Sequence, residues 1–86
     1  MAELSSMINL GKEITRKLNS VGIGCAEELM AVGSKEAFAR LKAIYPNVCL
    51  VHLYCLEGAI QQVEYNSLSS ETRKELKRFS DSLKRQ

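Results

Sequence analysis

Ile8-Asn9-Leu10-Gly11-Lys12-Glu13-Ile14, followed by Leu18, Gly22 and Ile23, is the stretch on which the reading of this 86-residue chain turns. It reads as a tight turn that opens directly into a helix. Gly11 carries no Cβ, so the backbone there can come close to whatever sits above the turn. Asn9 can adopt the left-handed conformation that such a turn asks for. The residues after Gly11 supply backbone N–H groups at a helix start, where a phosphate or carboxylate is stabilised. Lys12 adds a positive charge at the same place, and Arg16, four residues on, shares its helix face. The chemistry fits a clamp for phosphate oxygens; a structural turn with two solvated cations has the same sequence.

Working outward, the chain reads as a succession of helices. Leu4, Met7 and Ile8 fall at helical spacing, so residues 3–8 form a short helix that Asn9 and Gly11 interrupt. Ile14 and Leu18 are four apart among charged neighbours, which predicts an amphipathic helix over 11–20, ended by Gly22. A short helix over 26–31 follows, with Glu27 and Glu28 in its first turn. Position 25 is then the N-cap, which a cysteine fills poorly because sulfur is a weak acceptor. Ser34 is the expected cap of a helix with Ala37, Phe38, Leu41, Ile44 and Tyr45 inward, stopped by Pro46. Residues 48–62 are apolar nearly all round, as in a central buried helix. Ser69-Ser70 cap a last helix with Leu76, Phe79 and Leu83 inward. No stretch alternates apolar and polar residues over strand length. The fold class is all-α: a compact bundle of five or six short helices, with residues 1–86 as a single domain.

A weak internal echo runs through the first half. Leu10-Gly11-Lys12-Glu13 is followed by Lys17-Leu18, and Val32-Gly33-Ser34-Lys35-Glu36 by Arg40-Leu41. Two helix-hairpin-helix units packed as a pseudo-dimer would produce this pattern. Chance would too, since Lys-Glu after Gly is a common helix start.

Composition excludes several classes. With 5 Gly, 1 Pro and 45% apolar residues the chain is not a disordered segment. No run approaches the roughly 20 apolar residues of a membrane span, and the N-terminus has no signal-peptide pattern. Three cysteines without a framework of spacings read as reduced thiols, so a cytoplasmic location is expected. The net charge of +2 is small, but its distribution is uneven. Residues 65–86 carry six basic and three acidic side chains, whereas residues 46–64 carry two acidic and no basic ones. At about 100° per residue, Arg73, Lys74, Lys77, Arg78, Lys84 and Arg85 share one arc of the last helix, opposite Leu76, Phe79 and Leu83. A charged outer face is the ordinary state of an amphipathic helix; an anionic partner would also use it.

Catalysis finds no support, and no enzyme activity or cofactor is expected. The single histidine has no nucleophile placed by a motif, and there is no phosphate loop. Cys49, His52 and Cys55, with Cys25, invite a zinc reading. However, Cys49 and Cys55 point about 120° apart on a helix, and no Cys-x₂₋₄-Cys knuckle is present. Buried small thiols and a hydrogen-bonded histidine at the core edge are the expectation.

The run from Ile8 to Ile14 with Leu18-Asn19-Ser20-Val21-Gly22-Ile23 and Ala26-Glu27-Glu28-Leu29 resembles the C-terminal domain of the TfoX/Sxy competence regulators. Ala37-Phe38 with Arg40-Leu41, Val48-Cys49-Leu50 with Leu53-Tyr54, and Leu56-Glu57-Gly58-Ala59-Ile60 extend the likeness over residues 4–83. That domain is similar to helix-hairpin-helix modules, and full-length members promote expression of DNA-uptake genes in bacteria. The resemblance implies a stand-alone copy of the domain, because the domain that precedes it in the regulators is missing here. Together these readings give a small helical domain that contacts DNA backbone without sequence preference, with a possible place in transcription or competence. Its expected contacts are Asn9, Leu10, Gly11, Lys12, Arg16, Arg73, Lys74, Lys77 and Arg78. The rival class is a protein-interaction module or homodimer without nucleic acid. Neither a membrane nor a small-molecule substrate is expected as partner.

Overall fold

In the computed structural model, which describes residues 2–84, five α-helices and two short 3-10 turns follow one another, with no strand among the described residues. The helices are α1 (Lys12–Ser20), α2 (Ala26–Val32), α3 (Ser34–Ile44), α4 (Leu50–Gln61) and α5 (Ser70–Lys84); the turns are Leu4–Ser6 and Tyr65–Ser67. Arg85, placed on the basic arc from sequence, lies outside the described residues, as does the side chain of Lys84. No helix among the described residues is long and apolar enough to cross a membrane.

Each helix contributes one apolar stripe to a single core. Ile14 and Leu18 come from α1, Leu29 from α2, Ala37, Phe38 and Leu41 from α3, Leu53, Leu56 and Ala59 from α4, and Leu76 from α5. α4 is the central element, packed on α3, on α5 and on the Tyr65–Ser67 turn. Lys42 fastens the α3–α4 connection by donating to the carbonyls of Pro46 and Val48 at 3.1 and 2.7 Å.

Helix ends follow local chemistry. α1 closes through Ile23 N–H to Leu18 O at 3.0 Å and Gly22 N–H to Asn19 O at 3.2 Å, with Leu18 and Ile23 both fully buried, a Schellman termination. α5 opens as expected, with Ser69 Oγ accepting the Thr72 N–H at 3.1 Å. Cys25 does occupy the N-cap of α2, and the residue is 7% exposed. Glu28 braces the approach to the helix without capping it: its carboxylate accepts the Gly24 N–H at 3.0 Å and the Cys25 thiol at 3.5 Å.

Four expectations are corrected. The helix over 3–8 is only the Leu4–Ser6 turn; Ser6 Oγ donates to Glu3 O at 2.6 Å, a local bond that competes with helix continuation. Ser34 is not a cap but the first residue of α3, its hydroxyl buried and donating to Glu57 Oε1 at 2.6 Å. The cap is Gly33, which alone joins α2 to α3 with φ 89° and ψ 158°, a conformation open essentially only to glycine. Ile44 is 57% exposed, because the inward face of α3 is complete at Leu41. α4 is not buried all round, since Val51 on its first turn is 48% exposed.

The turn that leads into α1 is braced from across the chain. Asn9 has φ 72°. Its Nδ2 donates to Val63 O at 2.8 Å and its Oδ1 accepts the Tyr65 N–H at 3.2 Å. Gly58 makes the approach possible: a Cβ there would stand 2.5 Å from Asn9 Nδ2 and 2.7 Å from Val63 O. Leu10, 6% exposed, anchors the next position in the core.

Two sets of denaturant melts test this architecture. Leu53→Ala and Leu56→Ala should each cost about 2–5 kcal/mol; losses below about 1 kcal/mol would displace α4 from the centre. Asn9→Gly keeps the left-handed backbone but removes both bonds, at about 1–3 kcal/mol. Asn9→Ala should lose roughly a further 1 kcal/mol through the strained φ. Equal stability for all three side chains at position 9 would show that the brace contributes nothing.

Candidate nucleic-acid interface

The candidate interface begins at the first turn of α1. Gly11 is its N-cap, extended at φ −93° and ψ −176°, and no side chain caps the helix. The first intrahelical bond is Thr15 N–H to Gly11 O at 3.1 Å, so the amides of Lys12, Glu13 and Ile14 precede the ladder and point out of the helix end. A Cβ on Gly11 would find nothing within 4 Å. The space above the turn is open, as the sequence suggests, although the backbone angles there are available to other residues.

This turn faces the first half of α4 across a shallow groove whose lining includes Asn9, Gly11, Lys12, the acid Glu13, Lys17 and, from α4, His52. Lys12 is exposed and makes no ion pair among the described residues. Lys17 lies with its Nζ 5.2 Å from the Tyr45 ring centroid, a cation–π arrangement steadied by the Tyr45 hydroxyl, 2.7 Å from Ser20 Oγ. His52 Nδ1 accepts the Cys49 N–H at 3.1 Å, which closes the start of α4.

The remaining expected contacts are distributed differently. Asn9 and Leu10 shape the turn and have their polar or apolar groups already engaged within the fold. Arg16 is paired with Glu13, one turn apart, with side chains 64% and 70% exposed. The bond from Arg16 and its charge hold the Glu13 carboxyl below the usual carboxylate range and raise the guanidinium in turn. The contribution of this pair to stability is present above the ordinary carboxylate range and fades as pH falls through the lowered value. Solvent screening keeps it small.

On α5, Arg73 is half-buried and donates through Nη2 to Asn66 O, so it braces the segment before its helix. Lys74, Lys77 and Arg78 are exposed. Glu75 is tied to Lys35 on α3, and that bond holds its carboxyl below the usual range. No α5 residue lines the groove at α1. The two basic regions of the sequence are therefore not brought together there.

Lys17 and His52 are groove residues that sequence reasoning did not assign to the site. Nothing in their spacing could have done so, because the groove exists only where α4 packs beside the start of α1. Among the described residues, no three His, Cys, Asp or Glu side chains are grouped to hold a metal ion. His52 is a hydrogen-bonded histidine at the edge of the core, but of the three thiols expected to be buried only Cys25 is: Cys55 is half-buried and Cys49, at the N-cap of α4, is exposed.

Comparison with known proteins places this geometry in a family. Residues 1–80 match the family described as the TfoX C-terminal domain. The crystal structure of an uncharacterized protein from Listeria monocytogenes, in a triclinic form, is 42% identical with a TM-score of 0.94, over 96% of this chain and 94% of that one. A protein of unknown function from Listeria monocytogenes, in a tetragonal form, is 42% identical with a TM-score of 0.91, over 94% of this chain and 99% of that one. No functionally curated protein matches the chain. With its helices, its hairpin turn and nearly all of its length accounted for by one family, the chain belongs to the TfoX C-terminal domain family.

Proposed function

We propose that this domain binds duplex DNA through the phosphate backbone without reading sequence, as a binding module rather than an enzyme. The observation that carries the reading is the uncapped start of α1, with open space above Gly11 and the unpaired Lys12 beside it. Outward-pointing amides and a flexible cation suit a phosphate oxygen. Lys17 and His52 extend the polar rim of the same groove. A clamp of this size engages few phosphates and no base edges, which gives weak, salt-sensitive binding. Family membership supports the reading through the regulators' link to DNA uptake, and would put the domain beside transcription or competence functions in a bacterial cytoplasm. Arg16 contributes little while Glu13 holds it; Lys74, Lys77 and Arg78 form a separate, secondary basic patch.

A second reading has its own observation. Ile8 and Met30, 40% and 47% exposed, flank an apolar groove with Met7, Ala26 and Ala59 between the N-terminal turn and α2. Exposed apolar side chains along a groove favour a protein contact, including a homodimer.

Titration of labelled duplex DNA over a salt series tests the first reading. Binding should fall with a log–log slope of about −2, the value for two phosphates neutralised. Lys12→Glu should lower the magnitude of that slope by about 1. Arg16→Ala should change affinity little, while Glu13→Gln, which removes the groove's acid and releases Arg16, should tighten binding. Absence of binding at ~50 mM salt, where phosphate contacts are strongest, would leave the protein-contact reading. Binding that survives Lys12→Glu but disappears when Lys74, Lys77 and Arg78 are reversed would move the interface to α5.

A further inference from the structure

Three segments meet at a groove of about 410 Å³ beside α2. Met7, Ile8 and Met30 stand along it, and Ala26 and Ala59, 7% and 1% exposed, form its floor. Met7 and Met30 are the two methionines beyond the first residue, and an unbranched thioether side chain adapts to the apolar shape laid against it. Glu27 is the one charged residue in the lining, and the surroundings share its sign. The chain holds 12 Lys and Arg residues, yet none falls in the segments that build this groove: residues 2–11 before α1, residues 21–33 between α1 and α3, and residues 48–64 around α4. Those segments carry Glu3, Glu27, Glu28 and Glu64, besides Glu57, which turns to Ser34. None of these acids is in a salt bridge with Lys or Arg among the described residues. The Glu27 carboxyl is held below its usual range by its own backbone N–H, then by that of Ala2, and only last by the charge of the amino terminus. The lysines nearest in sequence are turned elsewhere: Lys12 lines the groove at α1, and Lys35 is bonded to Glu75.

We propose that this groove takes a basic amphipathic helix of another protein, which lays its apolar face on Met7, Ile8 and Met30 and its cations over the acidic rim. Such a partner rests on the protein-contact reading above and is independent of DNA binding. The sign of the charge decides against other occupants. A two-fold dimer through the same patch would set the patch against its own copy, so acid would meet acid, which disfavours self-pairing. Nucleic acid and anionic lipid are repelled by the same field. Among the modes of peptide recognition, an added strand needs a sheet edge, and the described residues form no strand. A proline-rich segment needs an aromatic-lined groove, and no aromatic ring lines this one. An acidic motif needs clustered cations, which are missing here. What remains is a helix in a groove, with apolar anchors at i, i+3, i+4 and i+7.

The full chain, labelled with ¹³C on its methionine methyl groups, is titrated with two synthetic helices of one pattern, Leu on the apolar face and either Lys or Glu on the other. The Leu/Lys helix should move the Met7 and Met30 signals together and saturably, and the Leu/Glu helix should leave them in place. Met30→Lys, at an exposed position, should keep the fold and weaken binding at least about tenfold, read at the Met7 methyl, as for an apolar anchor. Glu3→Gln with Glu27→Gln keeps the side-chain oxygens that accept local bonds; it should lower affinity and flatten its dependence on salt. Unchanged binding in that double variant would overturn the proposal, as would equal affinity for the Leu/Glu helix or Leu/Lys binding that leaves both methyls unmoved. Sedimentation of the chain alone covers the remaining occupant. Self-association that Met30→Lys abolishes would give the groove to a second copy, which ends the proposal and leaves the protein-contact reading standing. Two silent methyl groups with both helices, and no self-association, would remove that reading as well.

Discussion

The contact between Asn9 and the backbone around Gly58 is the constraint on which the rest of the structure depends. One side chain satisfies a carbonyl and an amide on either side of Glu64, more than fifty residues away in sequence. It can reach them only because α4 offers no Cβ at position 58. The bridge fixes where the N-terminal turn lies against α4 and, through Leu10 and Gly11, where α1 begins. A paired amide side chain with both functions used is costly to disturb, since either partner left alone would be a partly buried polar group without a bond. The same bridge draws the chain after α4 back across the helix, where Gln62 holds a left-handed φ of 62°.

From this arrangement follows the electrostatic character of the groove. A helix start that carries no capping side chain leaves its amides available to solvent or ligand, and α1 is such a helix. At α2, which no side chain caps either, the Glu28 carboxylate folds back beside the helix start onto the Gly24 N–H and places a negative charge there from within the chain. α4 is closed by a capping box in which His52 accepts the Cys49 N–H, and α5 by Ser69. Of the longer helices the one that opens toward solvent without a side-chain cap and with a lysine at its first position is α1. The acid next in line, Glu13, is turned to Arg16, so the internal competition for the amides is slight.

Much of the fold was legible because the stripes of Leu, Ile and Phe recur at helical spacing and are separated by Gly, Pro or Ser at positions with a clear conformational meaning. Ile14 with Leu18, and Phe38 with Leu41, could be placed inward from spacing alone. Misreadings came where a long-range partner decided the outcome. Ser34 carries the signature of a cap, yet Glu57 from α4 claims its hydroxyl. Ile44 keeps the stripe of α3 going after the core has run out. Arg73 belongs to the basic arc by angle, but a carbonyl before α5 takes its guanidinium. At the candidate interface, Gly11 and Lys12 were legible because a helix start is local. Lys17 and His52 were not, because their proximity is made by the packing of α4.

The two glycine-led helix starts give the internal echo a limited meaning. Gly11 and Gly33 both precede Lys-Glu and both cap a helix. Gly11 has ordinary extended angles and empty space where a side chain would go, whereas Gly33 bears a backbone geometry that a side chain would strain. Residues 7–11 separate the first turn from α1, while a single residue separates α2 from α3. The matching letters thus cover two different joints: the first is held by Asn9 and Leu10 but leaves room for a side chain at Gly11, and the other is a one-residue elbow whose angle is set by a single pair of torsions. Any insertion there would also pull Ser34 away from Glu57, so length as well as identity is locked at the second joint, whereas at the first only the identity of residue 11 is at liberty.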